Sequence, residues 1–593
     1  MDDQKRLMLA MLLSGLIMVG YYFMYDKPMK EARAQQAAEM QANDPQSSVA
    51  ERLPRADSVP NVQQPVEFQD RETLLLKEQH IKIETPSLTG SFSTTGMRFD
   101  NLVLKGYYQT IKDEENVVMF SPAGAKHAAY VFDNWTDSVG DTGEQQQWAL
   151  VSGDTLTPKT PITLKHVSDD FTVTRIVSID DDFLITLDDT VVNTSSKNIN
   201  VIRKGASRQH GLPDDLTNFF IIQEGPILIV DDKMKDMKYK VLAKKKTLVR
   251  EGESGWVGLT DRYWLAAAIA PQGMQMKADF RFKNLNGTDV YEAAYELAPI
   301  ELTPGTPFQS TGHIYAGAKS KKLLARYKKE QNIARMDLAI DYGFLGMLTK
   351  PMSRGLTWLG KMTGNFGVAI ILMTLLLKVV LFPLNNKSYS SMAKMKLLQP
   401  KIKKMQKRYG DDRMKLQQEM MALYRKENVS PVAGCLPMIP QMFIFFALYK
   451  SLFITFEMRH APFFGWLKDL SAKDPLSILN GFGAFPWDGH PAAIGFLAIG
   501  PLALLYGLSM AATQTLNTPP ADKMQARIFQ YMPLFFMFIL AGFASGLLLY
   551  WVWNNILTFI QQYIITRKFK VDTPFDRFFA KLFGKSAKPT NDG

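Results

Sequence analysis

Hydrophobic and polar positions alternate along this chain in two different ways. In the first, apolar residues gather into long blocks at 7–25, 366–384, 431–455, 491–509, 529–543 with its flanks, and 547–565. Each approaches the roughly 18 to 20 residues that a helix needs to cross a hydrocarbon core, the fifth being the shortest. Six spans are therefore predicted. In the second, residues 66–318 carry short stretches of alternating or β-branched residues, such as Phe-Thr-Val-Thr-Arg-Ile-Val-Ser-Ile at 171–179 and the run 219–230, separated by Asp, Gly, Asn and Pro. A period of two with turn residues between runs predicts antiparallel strands. Long helical patterns do not alternate with them, which favours a β-sandwich over a parallel α/β sheet.

The intervening segments complete the plan. Residues 26–65 are rich in Ala, Gln, Asp, Glu and Pro and too poor in apolar side chains to repay ordering, so they read as a flexible linker. Residues 319–335 look like a helix leaving the β domain. The following stretch to 362 mixes apolar residues with Asp341, Lys350, Pro351, Arg354 and Lys361, too polar to span and suited to an interface or a packed helix. Within 385–428, Met395, Leu398, Ile402, Met405 and Tyr409 recur at helical steps, and Leu416, Met420 and Leu423 repeat the pattern. Gly410 suits a C-cap and Asp411-Asp412 a helix start, so two antiparallel helices are expected, with Pro400 starting or kinking the first. The resulting division is an anchor at 1–25, linker 26–65, β-sandwich 66–318, connecting and interfacial helices 319–363, a five-span core 364–566 containing the hairpin 385–428, and a basic tail 567–593.

Charge placement orients these pieces. The net charge is +11 over 593 residues, and residues 385–428 hold twelve Lys or Arg against four acids. The tail after Ile565 holds seven more, whereas the connection before Leu547 has none. Cytoplasmic loops carry such excesses, which places both termini inside and residues 26 to about 335 outside. A basic balance concentrated in these loops gives no reason to invoke DNA. The first apolar block exceeds a signal-peptide core and lacks an Ala-x-Ala site, so it is read as a retained anchor. With Cys435 as the single cysteine, disulfides and a cysteine zinc site are excluded. The stretch 355–361 has the glycines and lysine of a phosphate loop, but Met362 stands where Ser or Thr would hold magnesium and no strand precedes it. No cofactor or metal is expected.

The candidate chemistry centres on Lys378, inside an apolar block, where an ionisable group needs a partner, a wet cavity or an escape route. Thr374 and Asn385 share its helix face. In the last block Tyr550, Asn554, Thr558 and Gln562 recur every four residues, Asn555 and Gln561 widen the stripe, and Gln441 adds an amide to the third block. Two readings stand: interhelical packing with a lysine reaching to the headgroups, or a hydrated groove. Pro431, Pro437 and Pro440 are expected to bend the third span. Met438, Met442 and Phe443 through Phe446, with Phe535, Phe536 and Phe538, supply adaptable apolar surface.

Taken together, Gly364-Asn365-Phe366-Gly367, Lys378 with Phe382-Pro383-Leu384, Ser391-Met-Ala-Lys-Met395, Leu397-Leu-Gln-Pro-Lys401, Gly434-Cys435, Gln441-Met442 and Ser545-Gly546-Leu547 with Tyr550 resemble the YidC family of membrane-protein insertases over residues 336–570. The outer domain is compatible with the large sandwich of Gram-negative members. The resemblance implies a non-enzymatic insertase and chaperone of the bacterial inner membrane, with a hydrophilic groove open to cytosol and lipid. It implies a groove lined by Lys378, Thr374, Gln441, Tyr550, Asn554, Thr558 and Gln562, and an apolar substrate slide of Cys435, Met438, Met442, Phe535, Phe536 and Phe538. The implied partners are nascent membrane proteins, the Sec translocon, ribosomes and targeting factors at the basic hairpin and tail, and membrane lipids. One departure stands out: the family usually has Arg where this chain has Lys378, which keeps the charge and loses the planar fork. The rival functions are a small-anion transporter, disfavoured because the core shows no repeated half, and a membrane-tethered carbohydrate-binding protein, which rests on fold analogy alone.

Overall fold

The computed structural model describes residues 68–111, 115–137, 140–213, 216, 222–285, 287–409, 412–430, 434, 436–485, 498–517 and 523–576. The expected anchor 1–25, the linker 26–65, most of the basic tail and Cys435 lie outside the described residues.

Two large sheets form the first half. The nine-stranded sheet runs from the edge strand Lys233–Asp236 through Gly225–Val230, Gly255–Thr260, Trp264–Ile269, Pro307–Ala318, Leu184–Asn193, Phe171–Ile179 and Ile162–Val167 to Ala149–Ser152. The eleven-stranded sheet has Ile199–His210 and Ala129–Thr136 at its centre. Among the described strands, pairing is antiparallel except where Thr155–Leu156 joins His80–Glu84 in parallel. Period-two burial explains the assembly: along Phe171–Ile179, residues 171, 173, 175, 177 and 179 are buried while their neighbours are more exposed. The inner faces share one core containing Trp135, Trp148, Phe171, Trp256 and Tyr295, so this domain is a sandwich of the kind the alternation predicts.

That same alternation turns Arg175 inward, and the register places it directly opposite Asp189. The two meet in a bidentate pair, with Nε to Oδ1 and Nη2 to Oδ2 both at 2.7 Å. Across the sandwich, Arg203 donates to Asp133 at 2.9 Å, and Arg175 reaches the same carboxylate at 2.9 Å. Trp135 Nε1 donates to Asp189 and the Tyr295 hydroxyl to Asp133. Four fully buried charges are thereby paired two against two, which is the condition for ions to persist away from water.

Two short helices, α1 (Arg71–Leu75) and α2 (Tyr239–Lys245), lie on the sandwich, and α3 (Lys321–Glu330) leads out of it. Then come α4 (Gly346–Thr363), α5 (Phe366–Tyr409), α6 (Arg413–Lys426), α7 (Met438–Ile454), α8 (Pro501–Leu516), α9 (Lys523–Leu540) and α10 (Ser545–Lys568). α4 buries Met352, Leu356 and Leu359 and exposes Met347, Trp358 and Met362, as an amphipathic helix does. Gly364 ends it at φ +66°, and Gly367 lets the ring of Phe463 approach where a Cβ would stand 2.0 Å from it. The helix pairs α4 with α5 and α7, α5 with α10, α8 with α10 and α8 with α9 make up the bundle.

Three details differ from expectation. α5 is one helix of 44 residues that leaves the apolar block and continues as the first arm of the hairpin. Pro383 and Pro400 lie inside it, so Pro400 does not start a helix. Asp412 does cap α6, its side chain accepting from the Lys415 amide at 3.0 Å. Two prolines of the third block do not bend a helix interior: Pro437 is the N-cap of α7 and Pro440 lies in its first turn, where the missing N–H has no intrahelical use, while Pro431 lies outside the described residues. Finally, among the described residues only α5 joins the length and the mean hydropathy of an unaided span, with α7 shorter but apolar. α10 has the length, but its polar stripe dilutes its hydropathy.

Two outcomes follow for the sandwich. Asp189→Ala, which leaves Arg175 and Arg203 short of a counterion, is expected to cost about 3–5 kcal/mol of domain stability, read as a large fall in unfolding temperature by tryptophan fluorescence; a shift within error would show the cluster is not stabilising. Burial, together with Arg208 for His210 and Arg203 for His313, depresses both imidazoles to about 4. Below an ordinary value near 6.5 the unfolded chain then binds protons that the folded chain refuses, so stability falls as pH drops from about 6.5 to 4. The expected slope is roughly 1.4 kcal/mol per pH unit for each histidine, and His313→Asn should remove one of the two.

Candidate functional site

The polar side chains picked out in the apolar blocks converge on the contact between α5 and α10. Lys378 faces α10: its Nζ donates to the Thr558 hydroxyl at 2.7 Å. Thr558 in turn donates to the Asn554 carbonyl at 2.7 Å and shares a hydrogen bond with the Tyr389 phenol. One hydroxyl thus joins two positions on α5 to the stripe on α10. Lys378 is half-buried, whereas Asn385, Ser388 and Tyr389, about two to three turns along the same helix, are buried. Among the described residues no carboxylate pairs with Lys378, whose ammonium meets the Thr558 hydroxyl instead.

The rest of the stripe binds neighbouring helices. Gln441 on α7 donates to the Tyr550 hydroxyl at 2.6 Å, placing the third block against α10 about two turns from Thr558. Gln562 donates to Asn517 at 2.9 Å and Asn555 to Ser509 at 3.2 Å, which tie α10 to α8 and to the residue that follows it. Thr374 is buried and returns its hydroxyl to the Ile370 carbonyl of its own helix at 2.7 Å, so it packs beneath Lys378 without meeting it. Asn554 is buried, and its carbonyl receives Thr558.

The apolar candidates divide. Met438, Met442 and Phe443 on α7, and Phe535 and Phe538 on α9, are exposed along the bundle surface. Phe536 turns inward instead and packs against the cluster of Leu502, Tyr506, Leu540 and Leu548. Its position one residue from Phe535 puts it on the other side of the helix, which sequence proximity alone concealed.

Three groups escaped the sequence reading. Lys450, inside the third apolar block just as Lys378 is in the second, is buried and pairs with Asp341 at 2.6 Å. The same signal, an ionisable group in an apolar run, would have found it. Around it, Ser451 donates to the Thr349 carbonyl at 3.1 Å, Ser353 and Thr455 share a hydrogen bond at 3.1 Å, and Arg262 of the sandwich donates to the Phe453 carbonyl at 3.3 Å. Phe456 then inserts among Tyr107, Tyr263 and Trp264, and Arg459 lies over Trp264 while donating to the carbonyls of Tyr108 and Gln109. The sandwich-side end of α7 is therefore bolted to the β domain. At the hairpin base, Lys396 donates to the carbonyls of Thr515 and Leu516, supplying a cation to the C-terminus of α8.

Comparison with known proteins fits both halves of this arrangement. Residues 80–354 match the family described as YidC periplasmic domain, and residues 358–572 match that described as 60Kd inner membrane protein. Proteins named membrane protein insertase YidC are similar over nearly the whole chain. That of Maricaulis maris is 42% identical, covering 98% of each chain. Those of Caulobacter vibrioides strain NA1000 (38% identical, 99% of this chain and 100% of the relative) and Bradyrhizobium diazoefficiens (36%, 96% and 97%) follow the same pattern. With a β-sandwich of the matched family joined to a helical core whose polar stripe gathers on α5, α7 and α10, the chain belongs to the YidC family of membrane protein insertases.

Proposed function

We propose that this insertase captures the polar tail of a nascent membrane protein in a hydrated groove formed by α5, α7 and α10, and releases its apolar segment into lipid along α7 and α9. The observation that carries this is the direction of Lys378: an ammonium in an apolar block turned toward Thr558 and the α10 stripe, with no carboxylate beside it among the described residues. A half-exposed cation that meets a hydroxyl and no carboxylate attracts an acidic segment, which would supply the missing counter-charge. The hydroxyls and amides of Thr558, Tyr389, Gln441 and Asn554 replace part of the water a polar tail gives up, while Thr374 and Gln562 support the helices that carry them. The exposed side chains of Met438, Met442, Phe535 and Phe538 then offer the departing segment flexible apolar contacts, with Cys435 placed by sequence at the same end of the third block. Burying about 20 apolar residues in lipid drives the step, helped by the membrane potential at roughly 2.3 kcal/mol per charge per 100 mV. No bond is made or broken in this process.

In this reading five helices cross the inner membrane, preceded by the anchor at 7–25, with both termini cytoplasmic and the sandwich in the periplasm. The hairpin of α5 and α6 then projects into the cytosol. Its Lys394, Lys403, Lys404 and Lys407 are exposed, while Lys401 is engaged by Glu427 at 2.9 Å. Such a surface suits ribosomal RNA or a targeting factor, and the Sec translocon is a further partner along the open flank.

Insertion by the reconstituted full chain tests the groove. Lys378→Glu should lower insertion of a substrate with an acidic outer tail by roughly tenfold or more, since like charges brought together cost several kcal/mol. Lys378→Arg should stay within about twofold, because the charge is kept. Protease protection of the inserted tail is the readout, and equal yields for both variants would rule out capture by charge. For the hairpin, replacing Lys394, Lys403, Lys404 and Lys407 by Gln should weaken ribosome co-sedimentation and flatten its logarithmic salt dependence by roughly 0.7 per lysine removed. An unchanged slope would leave those charges with topology as their sole role.

A further inference from the structure

Seven lysines and one aspartate occupy residues 233–246, and no acidic residue occurs from 237 to 250. They belong to the edge strand Lys233–Asp236 of the nine-stranded sheet and to α2. Tyr239 and Leu242 hold α2 to the domain, the Tyr239 ring meeting that of Tyr291 at 4.8 Å, while Lys240, Lys244 and Lys245 point outward with Lys246 just beyond. Among the described residues, Lys233, Lys235, Lys240, Lys244, Lys245 and Lys246 make no ion pair. Elsewhere on this domain basic side chains do find acids, as Lys204 with Glu296 and Lys328 with Asp337.

Two contacts fix where this surface lies. Met234 of the edge strand receives a hydrogen bond from the Gln223 amide at 3.5 Å, and Gln223 lines a narrow cleft with Asp341, Lys450, Phe453 and Ile454, at the sandwich-side end of α7. Tyr239, the first residue of α2, lines a cavity of about 570 Å³ together with Arg459, from the segment between α7 and α8. Both ends of the turn that joins strand to helix therefore lie on the side of the sandwich that meets the end of α7, which in the topology proposed above is where that helix leaves the apolar phase. α2 is only about 10 Å long at 1.5 Å per residue, so its lysines stay within about one or two Debye lengths of that level. Phe344, Met347 and Leu348, which follow the Asp341 of that cleft by three to seven residues, are exposed, and Val241 is exposed on α2 itself.

We propose that residues 233–246 form a docking surface for the anionic phospholipid headgroups of the leaflet on the sandwich side. Lysines on an edge strand also discourage pairing with another chain. That role accounts for Lys233 and Lys235, but a helix has no edge to protect, and four of the unpaired lysines lie on or just after α2. Clustered ammonium groups with apolar side chains beside them are the composition that seats a protein on an anionic membrane. The surface holds the sandwich down over the bundle, a task distinct from substrate capture at Lys378.

The test uses the purified full chain in nanodiscs of phosphatidylcholine alone or with a third of phosphatidylglycerol. Amine acetylation of each lysine is followed by mass spectrometry. With phosphatidylglycerol, modification of Lys240, Lys244 and Lys245 should fall by at least about threefold and recover in roughly 0.5 M salt, where the Debye length shrinks to a few Å. Lys165, near the opposite edge of the same sheet, should not change. In the variant K240Q/K244Q/K245Q/K246Q the protection of Lys233 and Lys235 should be lost as well. Equal modification in the two bilayers, or an equal fall at Lys165, would overturn the proposal.

Discussion

Polar groups inside an apolar bundle must find their partners within the protein, and that constraint organises the second half of this chain. A lysine in α5 meets a hydroxyl in α10, a glutamine in α7 meets a tyrosine in α10, an asparagine in α10 meets a serine midway along α8, and a glutamine in α10 meets the residue after α8. Each contact joins two helices, so α10 acts as the common post against which the others are set. Three of these bonds are neutral amide or hydroxyl pairs, strong enough to orient helices and weak enough to be exchanged for bonds to an incoming peptide. The exception is Lys378, whose charge is half-buried and unmatched.

The sandwich solves the same problem in the opposite way. Its four central ions are fully enclosed and matched in number, so nothing is left to attract a ligand and the cluster holds the two sheets together. Between these extremes lies the junction at Lys450 and Asp341, matched in charge but placed where α7 meets the β domain. With Arg262, Phe456 and Arg459 it makes α7 the fixed wall of the bundle. α9, by contrast, packs chiefly on α8, with several large apolar side chains turned outward.

Much of this was legible in the chain. Alternation at 171–179 announced not only a strand but the inward direction of Arg175, and the four-residue repeat of Tyr550, Asn554, Thr558 and Gln562 announced a polar face on α10. The capping role of Asp412 followed from its chemistry. What could not be read were the partners across space, because sequence periodicity gives the face of a helix and not its neighbour. Tyr389, Asn517 and Asp341 were missed for that reason. Phe536 was assigned outward by kinship with Phe535, although adjacent residues on a helix diverge by about 100°. The proline effect was misjudged because the start of α7 falls at Pro437, inside the apolar block and not at its boundary.

The unbroken course of α5 has a mechanical consequence. A single helix of 44 residues is about 66 Å long, roughly twice the thickness of a hydrocarbon core. The hairpin arm and the segment that carries the ammonium are thus parts of one continuous rod. Pro383, five residues beyond Lys378, removes one rung of the hydrogen-bond ladder and makes that point the flexure. Whatever pulls on the hairpin tip is therefore felt as torque one and a half turns from the charge.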